Sequence, residues 1–296
     1  MFGVRGAASD YRAGVLTSVS NPKVKAVVRL RKGRERRRAG LFIAEGLREV
    51  GRALDAGLRA EAIYRCDALL SEPTGEVLQS VEAAVVSEAV MRKMSWHQEP
   101  EGVLGVFETP AWDWARDLPA ADGGALVLMA AGIEKPGNLG AMVRSAAAAG
   151  CSAVVSVNTG EAGEVDAFAP QAIRNSTGAV FSMPVLGGLD PEDAVARLKA
   201  AGYSIAAAVV PGFGNASGAT VRDYDAVPWW LDGNPRGWAL AIGPEDRGLD
   251  PRWAQLADAL VSIPMAASRC GVDSLNASVA AGVLLFHARS AYHLAP

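Results

Sequence analysis

Along the 296-residue chain, apolar positions fall in short runs separated by polar, glycine-bearing or proline-bearing stretches, and the style of that alternation changes once. Up to about Glu108, helical patterns ("NPKVKAVVRLRKGRERRR", "GLREVGRALDAG") alternate with strand-like runs ("LFIAEG", "EAIYRC", "VLGVFE"), which predicts a small α/β module. Then comes "TPAWDWARDLPAADGG", rich in Pro, Asp and Gly, the composition of a connector. From Ala125 the runs "ALVLMA", "SAVVSV", "YSIAAAVV", "WALAIG" and "ALVSIPM" are strand-like. "GNLGAMVRSAAAAG" is helical, and a long final helix starts at about Leu275. Short apolar strands alternating with helices predict a mostly parallel sheet flanked by helices, so the fold class is α/β. The organisation expected is an N-terminal domain over residues 1–108, a linker over 109–123 and a larger domain over 124–296. No repeat of 20 to 50 residues and no low-complexity tail interrupts it.

With 50% hydrophobic and 21% charged residues the chain has enough apolar content for a well-buried core. The longest apolar runs, "GVLLFHA" and "ALVLMAAGI", fall well short of the roughly 18 to 20 residues that span a bilayer. The N-terminus lacks the charged-then-apolar order of a secretory signal, so a cytoplasmic protein with no membrane partner is expected. Cys66, Cys151 and Cys270 lie far apart with no C-x-x-C, and His97, His287 and His293 form no ligand-spaced group. Neither a disulfide framework nor a metal centre has a basis in this pattern.

Net charge is only −3, but its distribution is uneven. Nine of the 29 Lys and Arg residues, Lys23, Lys25, Arg29, Arg31, Lys32, Arg34, Arg36, Arg37 and Arg38, crowd into sixteen positions opposed only by Glu35. A solvated helix face accounts for such a run. So does a surface that attracts polyanions and contacts phosphates without regard to sequence, which makes RNA or DNA a candidate partner.

Three loops at predicted strand ends carry the candidate chemistry. In "IEKPGNLGAMVRSAAAAG" the apolar strand runs through what reads as a glycine turn into an alanine-rich helix. The spacing Gly137-x-x-Gly140 matches neither the dinucleotide fingerprint G-x-G-x-x-G nor the P-loop, and the polar groups Asn138 and Arg144 belong to neither. In "IGPEDRGLD", Gly243 and Gly248 permit close backbone approach, with Glu245 between them at a strand's carboxyl end. In "SIPMAASRCGVDSLNASVAAG", Ser274 is the expected helix N-cap, which leaves Asn276 in the first turn without a structural reason of its own.

Taken in order, "NLGAMVR", "IGPEDRG" and "IPM…SLNAS" resemble the three motifs of the SpoU/TrmH family of RNA ribose 2′-O-methyltransferases. "AIRNSTGAVFSMPV" is similar to another segment of that family, and "NPKVK" and "FIAEG" resemble its substrate-binding domain, which implies that residues 1–108 bind the RNA substrate; the resemblance spans nearly the whole chain. It is nearest to the branch acting on large-subunit ribosomal RNA, which includes antibiotic-resistance methylases of actinobacteria. Two departures stand out. Lys135 occupies a place where relatives often carry Asp before the motif proline, and the loop through "SRCG" is about three residues longer than in many of them.

The resemblance implies a SPOUT domain with a deep trefoil knot, a homodimer formed through that domain, and S-adenosylmethionine held by backbone groups at Gly243, Ile263 and Leu275. It implies that Arg144 acts on the RNA side, as a perturbed base or as an anchor for phosphate and developing alkoxide, with Asn138, Glu245, Ser274 and Asn276 positioning the ribose or one another. The small-residue side of the last helix is expected to serve close packing between subunits. Two rival classes are a noncatalytic RNA-binding protein, which the basic run alone would permit, and a nucleotide-dependent oxidoreductase, which the missing dinucleotide spacing opposes. Transfer RNA is an alternative target to ribosomal RNA.

Overall fold

The computed structural model of the chain describes residues 14–70, 81–158, 165–210, 213, 220–227, 229, 237–266 and 274–294. The chain forms two units. One comprises the residues up to Pro110 together with Phe168–Ile173, the other runs from Ala111 to Ala167 and from Arg174 onward.

In the first unit, α1 (Pro22–Arg29) and α2 (Gly33–Ala39) lead into β1 (Leu41–Glu45), α3 (Leu47–Asp55), β2 (Ala60–Arg65), β3 (Ala83–Val85), α4 (Glu88–Met94) and β4 (Val103–Glu108). The sheet order is β1-β4-β2-β3; β4 lies antiparallel to both β1 and β2, while β3 joins β2 in parallel. Val24, Val27 and Leu30 of the first helical segment close over Ile43, Leu104 and Val106 of the sheet, with Met91 and Met94 of α4 in the same core.

The helical pattern across the basic run breaks into two helices. Asn21 accepts the Lys23 N–H at 2.8 Å and Pro22 takes the first helical position, so α1 starts as the sequence expects. It ends at Arg29 because the chain turns while Leu30 stays buried in the core. Arg36 then returns its guanidinium to the carbonyls of Leu30 and Arg31, at 2.8 and 2.9 Å. Carbonyls at a helix C-terminus need donors and favour a cation, and Arg36 supplies both.

The second unit carries α5 (Trp114–Asp117), β5 (Ala125–Ala131), α6 (Pro136–Ala148), β6 (Ala153–Val157), the end of α7 (Pro170–Ser176, whose residues to Ile173 belong to the first unit), β7 (Val185–Leu189), α8 (Pro191–Ala200), β8 (Tyr203–Ala208), β9 (Val221–Asp223), β10 (Gly237–Ile242), α9 (Trp253–Leu256), β11 (Ala259–Ser262) and α10 (Ala277–Leu294). Seven strands form one parallel sheet in the order β7-β6-β5-β10-β8-β11-β9. Val127 and Met129 of β5 face one core and Leu126 and Leu128 face the other way, all fully buried, as expected of a sheet covered on both faces. From β5 the chain proceeds outward through β6 to β7, whereas β8 to β11 all lie on the other side of β5, so the sheet reverses between β5 and β10, where open α/β sheets bind ligands.

Residues 111–123 are not a free connector. Trp112, Trp114 and Leu118 pack on the second unit's core, Ala121 is buried in it, and the Trp114 indole donates to the Gly187 carbonyl at 3.0 Å. The small-residue side of α10 is also spent within the chain. Ala277, Ala281 and Ala288 are buried, a Cβ on Gly282 would meet Ser145 Oγ of α6 at 3.7 Å, and Arg289 donates to the carbonyls of Ala149 and Gly150 just past the end of α6. What α10 presents outward is Val279, Val283 and Phe286, exposed by 51%, 38% and 49%.

Candidate active site at the ends of parallel strands

Leaving β5, the chain turns at Gly132 in the left-handed region and enters α6 with Pro136 in its first turn. Gly137 and Gly140, expected in a turn, lie inside α6 and are buried. Asn138 therefore sits in the first turn of a helix, and Asn175 Nδ2 steadies that turn by donating to the Gly137 carbonyl at 3.0 Å.

After β10, Glu245 is the point where three segments meet. Its Oε1 accepts from Asn138 Nδ2 at 3.1 Å and from Asn276 Nδ2, and its Oε2 lies 3.7 Å from Lys135 Nζ. A second bridge between the same loops joins Arg247 to Glu134 at 2.7 Å. With amide donors fixed on Oε1 and a cation beside Oε2, the carboxylate works as an acceptor that orients two amides. Lys135 places a positive charge against Glu245.

The start of α10 differs from the expectation. Ser274 lies ahead of the cap, and Asn276 is itself the capping residue: its Oδ1 accepts the Ser278 N–H at 2.9 Å and the Ser278 hydroxyl at 2.5 Å, while its carbonyl accepts from Val279 and Ala280. One side chain thus has two tasks, its oxygen on the helix and its nitrogen on Glu245.

A cavity of about 660 Å³ opens beside these groups at the carboxyl ends of β8, β10 and β11. Gly243, Ile263, Leu275, Glu245 and Ser274 line it, with apolar walls from Val209, Leu249, Val261, Ala280 and Leu284. Gly243 matters for the shape of the loop as well as for the cavity, since a Cβ there would come within 2.5 Å of backbone atoms of Gly248 and Leu249. The longer "SRCG" stretch lies outside the described residues.

Arg144 is placed apart from this cluster. It is exposed on α6 and has no hydrogen-bond or ion-pair partner among the described residues. Six helical positions separate it from Asn138, about 240° around the axis and roughly 9 Å along it, so it points away from the same chain's Glu245.

Within the basic run, Lys23, Lys25, Arg29, Lys32, Arg34, Arg37 and Arg38 are exposed. Arg38 pairs with Glu35, Arg36 is 6% exposed with its donors on carbonyls, and Arg31 donates to the carbonyls of Lys93 and Ser95. Sequence reasoning did not single out Asn175, Glu134 or Arg247, whose partners come from other loops. Among the described residues no helix is long and apolar enough to cross a membrane, and no group of three His, Cys, Asp or Glu side chains is placed to hold a metal.

The model of the SpoU rRNA methylase family matches residues 125–286, which takes in the parallel sheet, all three loops and most of α10. The chain belongs to the SpoU rRNA methylase family. Its first unit matches the MRM3-like substrate binding domain over residues 21–105. The chain is 33% identical to the 23S rRNA (uridine(2479)-2′-O)-methyltransferase of Streptomyces viridochromogenes, over 86% of this chain and 84% of that one. It is 28% identical to the 23S rRNA (guanosine(2553)-2′-O)-methyltransferase of Bacillus subtilis, over 93% of this chain and 98% of that one. The crystal structure of an AdoMet-bound rRNA methyltransferase from Sinorhizobium meliloti superposes with a TM-score of 0.76 at 30% identity, covering 96% of this chain and 99% of that one. The fold of this family member is thus that of the SpoU methyltransferases, with an additional N-terminal unit.

Proposed function

We propose that the protein transfers a methyl group from S-adenosylmethionine to a ribose 2′-oxygen of 23S ribosomal RNA. The observation that carries the reading is the meeting of Asn138, Glu245 and Asn276, from three separate strand-end loops, beside the cavity that Gly243, Ile263 and Leu275 line.

The cavity fits the cofactor. Its volume lies within the range of ordinary cofactor pockets, its walls suit the face of a purine, and the sheet ladders stop at Ile242 and Ser262, so the backbone groups just beyond are free of ladder duty. Gly243, Ile263 and Leu275 are the residues that would hold it. When bound, S-adenosylmethionine supplies an electrophilic methyl on a sulfonium. The chain's own part is alignment and relief of charge at the 2′-oxygen. Glu245 fixes the Asn138 and Asn276 amides, and Ser274 sits on the same cavity wall.

Arg144, which has no partner among the described residues, serves the site of a second copy, where its guanidinium anchors a phosphate and stabilises the developing alkoxide. The homodimer that this requires is supported by the outward apolar stripe Val279, Val283 and Phe286 on α10. The deep trefoil knot belongs to the same proposal; its support is the strand order, with β10 between β5 and β8.

The test is labelled methyl transfer to unmodified 23S rRNA followed by mapping of the product. One or a few 2′-O-methylated nucleotides support the proposal, and no incorporation by a folded protein that binds the cofactor overturns it. Shared sites are tested by co-expressing Arg144→Ala and Glu245→Ala subunits with different tags. If Arg144 crosses to the partner, half the sites of each mixed dimer are intact and random exchange restores about a quarter of wild-type activity. No recovery in confirmed mixed dimers would place Arg144 in its own chain's site.

A further inference from the structure

We propose that Trp96, in the first unit, is a stacking platform for an unpaired base of the RNA substrate. The inference rests on the RNA reading above and adds a residue that neither the basic run nor the three loops supplies. Trp96 follows α4 and is 43% exposed, a large indole left in solvent within a unit whose other described Phe and Tyr residues, Phe42, Tyr64, Phe107 and Phe168, are buried.

The loop under this indole is held on both sides. Glu45, at the end of β1, accepts the Ser95 hydroxyl and the Trp96 N–H, each at 2.5 Å. The His97 N–H donates to Ser95 Oγ at 3.0 Å, and Arg31 donates to the carbonyls of Lys93 and Ser95. Every one of these bonds runs to backbone or to Ser95, and none uses the indole. The ring itself meets His97 in a T-shaped contact, centroids 5.1 Å apart at 80°, and 43% of the residue stays open to solvent. A rigid platform of this kind loses little conformational freedom when a base stacks on it.

The surroundings select the partner. Arg31, bonded to the loop, belongs to the basic run, and Lys32, Arg34 and Lys93 are exposed cations of the same unit. The loop also carries Glu99 and Glu101, which oppose a phosphate at its tip. The exposed cations fit an RNA backbone and the indole fits a base, the combination by which single-stranded segments are held.

The test measures affinity and steady-state methylation of a 23S rRNA fragment by Trp96→Leu and Trp96→Phe. Trp96→Leu keeps an apolar side chain but no π face. It is expected to raise Kd and KM for RNA about 5- to 150-fold, with cofactor affinity and kcat at saturating RNA unchanged. Trp96→Phe should retain most of the affinity. The slope of log K against log salt should stay as in wild type, because stacking releases no counterions. Wild-type affinity in Trp96→Leu, or equal loss in the two variants, overturns the platform. So does a slope that falls with the affinity. A wild-type protein that methylates rRNA while Trp96→Leu does so equally well overturns this inference alone, whereas a wild type that neither binds nor methylates rRNA overturns the functional reading and this inference with it.

Discussion

The double duty of Asn276 can be separated by two substitutions. Asn276→Ala removes both the cap oxygen and the amide that reaches Glu245, while Asn276→Ser keeps a capping oxygen and removes only the amide. Loss of a cap costs about 1 kcal/mol, which in a unit of this size lowers Tm by roughly 2–4 °C; the serine variant should lose a few tenths of that. A hydrogen bond to a carboxylate is worth about 1.5–3 kcal/mol, and partial exposure of this pair reduces it to about 1–2 kcal/mol. If that energy orients the amides in the transition state, both variants lose about 5- to 30-fold in kcat/KM. Scanning calorimetry gives Tm, and labelled methyl transfer into 23S rRNA gives kcat/KM. The expected signature is equal loss of activity with unequal loss of stability. Wild-type activity in Asn276→Ser would remove Asn276 from the site, and a wild-type Tm in Asn276→Ala would remove it from the cap.

Replacing Lys32, Arg34 and Arg37 by Gln should flatten the salt dependence of RNA binding by about 0.7–0.9 log units per lost phosphate contact, whereas Arg36→Gln should lower Tm, because that guanidinium is buried on the end of α1; salt titrations and melts distinguish the two. Gly243→Ala forces the Gly248–Leu249 backbone to move, so calorimetric titration should find weakened S-adenosylmethionine binding together with a lowered Tm; normal binding would remove the Gly243 loop from the cofactor site. Burial pushes the Cys151 thiol up from 9.0 to about 12 and, as the largest cause, the Tyr203 phenol up from 10.0 to about 12. Both are held neutral in the fold, so the stability they contribute is complete below about pH 9 and is lost as pH rises toward 12; Cys151→Ala should flatten the fall of Tm with pH over that window, and an unchanged fall would refute it.

Much of the fold can be read from the chain. The fully buried strands β5 and β10 are continuous apolar runs and β6 is broken only by Ser156, and a run covered on both faces needs no further signal. The short strand β3 and the Gly-bearing β7 give no such run, since their pairing depends on neighbours far along the chain. The α1–α2 break is invisible because the helical period continues through it, while the carbonyls left at the end of α1 are satisfied by Arg36, six residues beyond Leu30. The connector composition of residues 109–123 was misleading because their Trp and Leu side chains were outweighed by Pro, Asp and Gly, yet those side chains pack. At the site the individual residues Asn138, Glu245 and Asn276 stand out by motif. Their meeting does not, and neither does the cap on α10, where Ser274 is an equally good candidate by type.

That meeting has a consequence for how the sequence can vary. With Asn138, Asn276 and Lys135 all depending on one carboxylate, a change at any one alters the worth of the others, and damage to two is not the sum of damage to each. Lys135 illustrates this epistasis. An acid at that position would face Glu245 with like charge, so exchanging Lys135 for Asp or Glu is not neutral in this background unless a neighbouring loop changes with it. Three distant segments are therefore coupled in energy, and a chimera that borrows a single loop from a relative receives half of a contact.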